Sequence, residues 1–320
     1  MRFAVLYPGQ GSQKVGMGAD LYKETTLGNE LFNKVNTLVK RDVVNIFLNG
    51  PSEELNQTIN TQISITAISV ALTSILKDEL KKRKLEFNPC CTCGHSLGEF
   101  TSLWFIDFFN FEDLIKLVSL RGSLMQNAPV GTMAAVLNLD ENQIKKVISE
   151  SKIDLTLANY NTPNQFVIAG TKDNIEKITD KIKLSGGKAI ILPVGGAFHS
   201  PLMKESSIVF NKELDNIKSQ NNLQLKLPIY QNVDGSPSTN PQTVLDKLKR
   251  QMTSSVLWTQ TINNLVNDGV TAVVEIGPGK ILTGLVKKIN STIECFNVSD
   301  LKTLNEFITL YESKLLPAKS

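Results

Sequence analysis

"CCTCGHSLGEF", residues 90–100, contains Gly94-His95-Ser96-Leu97-Gly98. This G-x-S-x-G pattern predicts a short strand, a sharp turn and a helix, with the Ser96 hydroxyl standing clear of the backbone at the turn. The small residues before it fit a buried strand. Cys90, Cys91 and Cys93 fit a metal site less well, because the single C-x-x-C spacing, Cys90 to Cys93, has no second such pair in the chain. A serine is a poor nucleophile alone, so the reading turns on whether the chain also supplies a base, oxyanion donors and groups that recognise an acyl chain.

With 320 residues, 41% hydrophobic and 20% charged, the composition is that of a soluble globular protein with one large domain or two unequal ones. A formal charge of +3 is too small for a nucleic-acid binder but suits an acidic partner or a phosphate-bearing substrate. Four cysteines in a chain of this length make no disulfide framework, so reduced thiols and a cytoplasmic setting are expected. The apolar run in "MRFAVLYPGQGSQ" is cut off by Pro8 and Gly9 and reads as a first strand, not a signal peptide. "ISITAISVALTSIL", residues 63–76, is interrupted by Ser and Thr and leads into "KDELKKRK". It predicts a buried helix with a solvated end and no membrane attachment.

Outward from the turn, the pattern is α/β. A strand at Phe3–Tyr7, helices, the strand before Ser96 and the helix after it fill the first part of the chain. After Pro129 the texture changes. Strand "GTMAAVLNL", helix "DENQIKKVISESK", strands "LTLANY" and "QFVIAG", helix "KDNIEKITDKIKLSG" and strand "KAIILPV" follow in turn. That β-α-β-β-α-β order predicts a ferredoxin-like subdomain over 129–196, inserted into a larger hydrolase-like domain with a parallel-sheet core made of 1–128 and 197–320. The return segment carries a helix after Pro201, a strand near "LPIYQNV", a helix in "PQTVLDKLKRQM", strand "TAVVEIG" and helix "GKILTGLVKKI". The Asn-rich run at 219–222 reads as a loop.

The chain has two histidines. His95 precedes Ser96 on the turn, so its ring is expected to project away from the hydroxyl. If a histidine activates Ser96, it is therefore His199, in "GGAFHSPLM". That residue is either a satisfied structural histidine at a helix start or a base on a turn at the seam of the two inferred units, where a cleft is expected. The glycine-flanked loop Pro8-Gly9-Gln10-Gly11-Ser12 follows the first strand and offers backbone N–H groups to an oxyanion. A dinucleotide-binding reading of this loop fails, because position 14 is Lys14 and not glycine.

In "EDLIKLVSLRGSLMQ", Leu114, Leu117, Val118, Leu124 and Met125 define one helical face, and Arg121 falls on it. Either the side chain snorkels near a helix end marked by Gly122, or its guanidinium lies at the floor of a pocket and binds a carboxylate through two parallel hydrogen bonds. The second reading implies an acyl group that carries its own carboxylate.

Taken together, "PGQGSQ", "GHSLGEF", "RGSLMQ", "GTMAAV", "NYNTPNQFVIAG", "AFHSPLM", "YQNVDG" and "EIGPGK" resemble the malonyl-CoA:acyl carrier protein transacylases of type II fatty acid synthesis, over nearly the whole chain. The resemblance implies Ser96 as nucleophile, His199 as base, the backbone N–H groups of Gln10 and Leu97 as oxyanion hole, and Arg121 as partner of the malonyl carboxylate. Phe198, in the "AFH" form, favours malonyl over branched units. It further implies a ping-pong transfer from malonyl-CoA to the pantetheine thiol of acyl carrier protein, with coenzyme A entering as part of the substrate and no cofactor or metal. His199 would be oriented by a backbone carbonyl, and the residue before Trp258, here Leu257, is one candidate for it.

Asn159 and Asn161 in "NYN" are either amides near the acyl group or turn residues that serve their own backbone. Lys188 is either a contact for coenzyme A phosphate or a solvated lysine. The competing activity is a serine hydrolase or thioesterase that uses Ser96 and His199 with water as acceptor. A non-catalytic carrier-docking subunit is disfavoured by the presence of Ser96, His199 and Arg121 together.

Overall fold

The computed structural model describes residues 1–129, 131–217 and 225–315, so the run at 219–222 lies outside the described residues. Two sheets organise the chain. The larger is built on β1 (Phe3–Tyr7) and β2 (Cys91–Gly94), joined by β7 (Ile229–Tyr230), β8 (Pro237–Ser238), β9 (Ala272–Ile276) and β10 (Glu294–Val298) in the order β10-β9-β1-β2-β7-β8. All pairs in it are parallel except β7 with β8. β1 is FAVLY and β9 is AVVEI, and every residue of both is buried. Such runs without alternation are what a parallel strand covered on both faces requires.

One face of this sheet packs against the helix Thr58–Lys82, whose apolar window is 89% buried within the protein. Burial on nearly every side explains its unbroken run of Ile, Val, Leu, Ala, Ser and Thr. The other face packs against helices Trp258–Asn267 and Ile281–Ile289 through Trp258, Ile262, Leu282 and Val286. Cys91 and Cys93 are small core residues in that layer, and all four cysteines are free thiols.

The smaller sheet is antiparallel, in the order β4-β5-β3-β6, from β3 (Thr132–Leu137), β4 (Thr156–Thr162), β5 (Gln165–Gly170) and β6 (Lys188–Ile191). Along β3, Ala134 and Val136 face helices Glu141–Ser151 and Lys172–Leu184, whereas Met133 and Ala135 line a cavity on the opposite side. The period of two thus splits one strand between a local core and the site.

Four hydrogen bonds stitch the edge strand β4 to the segment 255–259. Tyr160 N–H donates to the Val256 carbonyl at 2.9 Å, and Val256 N–H donates to the Ala158 carbonyl at 2.8 Å. The Ser255 hydroxyl reaches the Leu157 carbonyl at 2.6 Å, and the Thr259 hydroxyl reaches that of Tyr160 at 3.1 Å.

Four elements differ from the sequence reading. The strand expected through "LPIYQNV" is only Ile229–Tyr230, because Gln231 and Asn232 turn inward to bond the Glu99 carboxylate. The helix after Pro201 opens with a 3₁₀ turn, Pro201–Met203, before Lys204–Asn216. Strand β10 and helix Leu301–Leu310 were not anticipated.

Candidate active site

The turn after β2 places Ser96 with φ of +50°, a left-handed conformation that costs a non-glycine residue energy and lifts its side chain off the chain path. Glycine is required on both sides of it. A Cβ on Gly94 would lie 2.0 Å from the Gly98 carbonyl carbon, and one on Gly98 would lie 2.0 Å from the Tyr7 carbonyl oxygen. The helix Gly98–Phe105 starts directly behind, its first N–H groups donating to the His95 and Ser96 carbonyls at 2.9 and 3.2 Å.

The Ser96 hydroxyl lies 2.7 Å from His199 Nε2. On the far side of the ring, Nδ1 faces two carbonyl oxygens, Gln251 at 3.1 Å and Ser254 at 3.2 Å. Carbonyls only accept, so Nδ1 carries the proton and Nε2 is left as the acceptor for the serine O–H. This geometry leaves His199 Nε2 able to accept the Ser96 proton without a third carboxylate. Burial, and next the positive charge of Arg121, push its pKa down to about 3, so the ring is neutral near physiological pH. The carbonyl of Leu257 is not among its partners, because the chain brings residues 251–254 to the ring instead.

Arg121 is 1% exposed, and its helix runs on through Gly122 to Gln126, so it does not snorkel at a helix end. Its Nη2 donates to the Ser96 hydroxyl oxygen at 3.0 Å and to the Gln251 side-chain oxygen at 3.1 Å, and Nη1 donates to Gln62 Oε1 at 2.9 Å. The Phe100 ring lies beneath the guanidinium, 5.3 Å from Cζ. Among the described residues Arg121 Nε has no partner. Burial lowers the arginine pKa to about 10, which still leaves it fully charged near neutrality.

These groups open onto a cavity of about 340 Å³ between the two sheets. Gln10, Leu97, Phe198 and Asn161 line it as well, so every site residue expected from the sequence faces one space. No hydrogen bond takes up the backbone N–H of Gln10 or Leu97 among the described residues. His95 does turn away from the Ser96 hydroxyl. Its Nε2 sits 2.8 Å from Asn161 Oδ1, and its ring meets Trp258 edge-on at 5.4 Å. Asn159 is buried in the same wall, with its side-chain oxygen unpartnered. Lys188 is exposed on β6 and is not among the lining residues.

Gln62, Gln251 and Ser254 were missed by sequence reasoning. The side chain of Gln251 accepts from Arg121 and donates to the Ser96 carbonyl at 2.9 Å, while its own carbonyl holds His199. It lies 155 positions from Ser96 in the chain, and no local pattern marks it. No cluster of His, Cys, Asp or Glu suited to a metal ion occurs among the described residues.

A serine hydroxyl against a neutral histidine on an α/β sheet, facing one cavity, is an arrangement found in enzymes that carry acyl groups on a hydroxyl. Residues 5–304 match the acyl transferase domain family, and the chain belongs to that family, among the malonyl CoA-acyl carrier protein transacylases. The chain is 36% identical over 312 residues to the transacylase of that name from Bacillus subtilis (strain 168), covering 95% of each. A crystal structure of an acyl carrier protein S-malonyltransferase from Vibrio cholerae superposes with a TM-score of 0.88 at 36% identity, covering 96% of this chain and 100% of the other. A malonyl-transacylase solved in complex with its type II PKS acyl-carrier protein superposes at 0.89 with 33% identity, covering 98% and 100%.

Proposed function

We propose that this chain transfers the malonyl group of malonyl-CoA to the pantetheine thiol of an acyl carrier protein through a malonyl ester on Ser96, supplying units for fatty acid synthesis. The observation that carries the reading is the buried Arg121 guanidinium within 3.0 Å of a serine hydroxyl that also meets a neutral histidine. A neutral acyl group has no use for a desolvated cation there, whereas a terminal carboxylate supplies the charge it lacks.

In the first half-reaction the Ser96 oxygen bonds to the thioester carbon as its proton passes to His199 Nε2. The resulting oxyanion is taken by the N–H groups of Gln10 and Leu97. The carbon–sulfur bond then breaks, and coenzyme A leaves with the proton from His199. In the second half the carrier thiol gives its proton to His199, attacks the serine ester and displaces the Ser96 oxygen, which regains the proton. Asn161, held against His95, and Phe198 flank the acyl group. The proposed steps draw on no cofactor or metal, and the four free thiols support a cytoplasmic setting. We further read 129–196, with its four-stranded order, as a ferredoxin-like subdomain inserted between 1–128 and 197–320.

Intact mass measured after mixing with malonyl-CoA, and again after adding carrier protein, tests the reading. The expected result is a malonyl adduct lost in Ser96→Ala, which then moves to the carrier. Free malonate released at one rate with or without carrier would mark a hydrolase instead, and an unmodified enzyme would end the catalytic reading.

A further inference from the structure

Asn232 is fully buried behind the nucleophile turn, and all four of its hydrogen-bonding contacts go to the chain that builds the site. Its side-chain oxygen accepts from the Ser96 N–H at 2.6 Å, and its side-chain nitrogen donates to the Gly94 carbonyl at 2.7 Å. One amide therefore spans the strained turn from the last residue of β2 to the serine. Its backbone N–H donates to Glu99 Oε2 at 2.8 Å, and its carbonyl accepts from Leu257 N–H at 2.9 Å. The carboxylate of Glu99, itself fully buried on the helix after the turn, also accepts from Gln231 Nε2 at 3.2 Å.

We propose that Asn232 is the positioning residue of the acyl-carrying serine: its amide holds Ser96 at positive φ and withholds the Ser96 N–H from the cavity, so that the Leu97 N–H is the one presented there. The argument is one of bond matching. A left-handed turn leaves the Gly94 carbonyl and the Ser96 N–H without helical or sheet partners, and a buried turn with both unpaired would relax or open. Only a group with one acceptor and one donor, fixed at the right separation, satisfies both. A carboxamide has them and a carboxylate does not. Glu99 and Leu257 fix the Asn232 backbone, so the amide is held from behind and has no other geometry to adopt. The Leu257 bond also joins the turn to the segment whose Ser254 carbonyl contacts His199, so the serine and its base share one support.

The inference rests on Ser96 as the acylated residue, and a wild-type adduct tests that separately. The test is pre-steady-state acylation by malonyl-CoA in the full-length enzyme, with burst amplitude counting active sites and with fluorophosphonate labelling of Ser96 in parallel. Asn232→Ala is expected to lower the acylation rate per active site by at least about thirtyfold with an unchanged KM, and to slow labelling in proportion, because labelling does not use Arg121. Asn232→Asp keeps the acceptor for Ser96 N–H and loses the donor to Gly94. It is expected to recover part of the rate but to stay at least about tenfold below wild type. If Asn232→Ala does not fold, Asn232→Asp decides. A role confined to stability would lower melting temperature and burst amplitude but leave the rate per site intact. A wild-type rate per site in either folded variant overturns the proposal.

Discussion

Arg121 and His199 approach the Ser96 hydroxyl together, the guanidinium donating to its oxygen at 3.0 Å and the imidazole standing 2.7 Å away to receive its proton. The cation thus engages a lone pair of the Ser96 oxygen. In the proposed reaction a substrate carboxylate would compete for the same Nη2, so that malonyl binding would also free the serine oxygen. Among the described residues Arg121 hydrogen-bonds the neutral Gln62 and Gln251 and makes no direct salt bridge, although the buried Glu99 carboxyl lies close enough to favour its charge.

Arg121→Ala is expected to lose most malonyl transfer while acetyl transfer survives or improves. Leaving the malonyl carboxylate desolvated without its partner costs on the order of 2 to 5 kcal/mol. At roughly 1.4 kcal/mol per tenfold, the malonyl-to-acetyl ratio of kcat/KM falls by at least about thirtyfold. Equal decline of both substrates would make Arg121 structural.

Gln251→Ala keeps the backbone carbonyl at His199 and removes the amide between Arg121 and the Ser96 carbonyl. Buried donors left unpaired cost about 1 to 3 kcal/mol. Malonyl kcat/KM is expected to fall about ten- to hundredfold. Acetyl, which does not depend on the set of the guanidinium, should fall less than about threefold. Steady-state kinetics with both thioesters checks this.

The base should respond to substrate charge. Burial and Arg121 hold His199 down at about 3 in the free enzyme. A carboxylate bound to Arg121 cancels part of that positive field and raises the imidazole pKa. The acidic limb of acylation at saturating malonyl-CoA is therefore expected at higher pH than the limb seen under kcat/KM conditions, with no such gap for acetyl-CoA. Rapid-quench measurements across the acid range decide it, and coincident limbs for malonyl would remove the coupling.

Acid stability follows from the same groups. Burial lowers the pKa of both His95 and His199 below their ordinary 6.5, so in the acid range the unfolded chain binds protons that the folded chain refuses. Their contribution is full above 6.5 and is lost as the pH falls through the folded values. Glu99 has the opposite sign. Burial lifts its carboxyl from 4.5 to about 6, so its contribution is present below 4.5 and lost as the pH rises through 6. Urea midpoints should show Glu99→Gln gaining on wild type at pH 7.5 relative to pH 4.5, and a midpoint difference that does not change with pH would refute the assignment.

The nucleophile turn tolerates no added methyl group. Gly98→Ala would place Cβ 2.0 Å from the Tyr7 carbonyl oxygen, backbone against backbone, at the upper end of the ~1 to 3 kcal/mol that overpacking costs. Gly284→Ala, in the helix Ile281–Ile289 with open space at its Cβ, is expected to stabilise by about 0.5 to 1 kcal/mol. Thermal melts of the pair separate steric crowding from helix propensity.

Ser96, His199 and Arg121 were legible because each broke a local rule: a serine between glycines at a turn, one of only two histidines in the chain, a cation on an apolar helical face. Gln251 and Asn232 broke none. Gln251 sits at the end of an ordinary amphipathic helix, and Asn232 sits in what reads as a strand, and each gains its role only when the chain folds across more than a hundred residues. Strand β10 escaped notice for a different reason. It is an edge strand with four of its five residues only half-buried, so it carries neither the continuous apolar run of β1 nor a clean alternation.

The seam between β4 and Val256 limits how the cavity admits its substrates. Val256 lies two residues beyond Ser254, whose carbonyl holds His199, and it exchanges backbone hydrogen bonds with both Ala158 and Tyr160. The smaller sheet and the anchor of the base are consequently one mechanical piece. Swinging that sheet outwards like a jaw would drag the anchor with it and disarm the serine. In the proposed reaction a thioester arm is therefore expected to thread in past the side chains at the rim, with Ser96 and His199 still aligned.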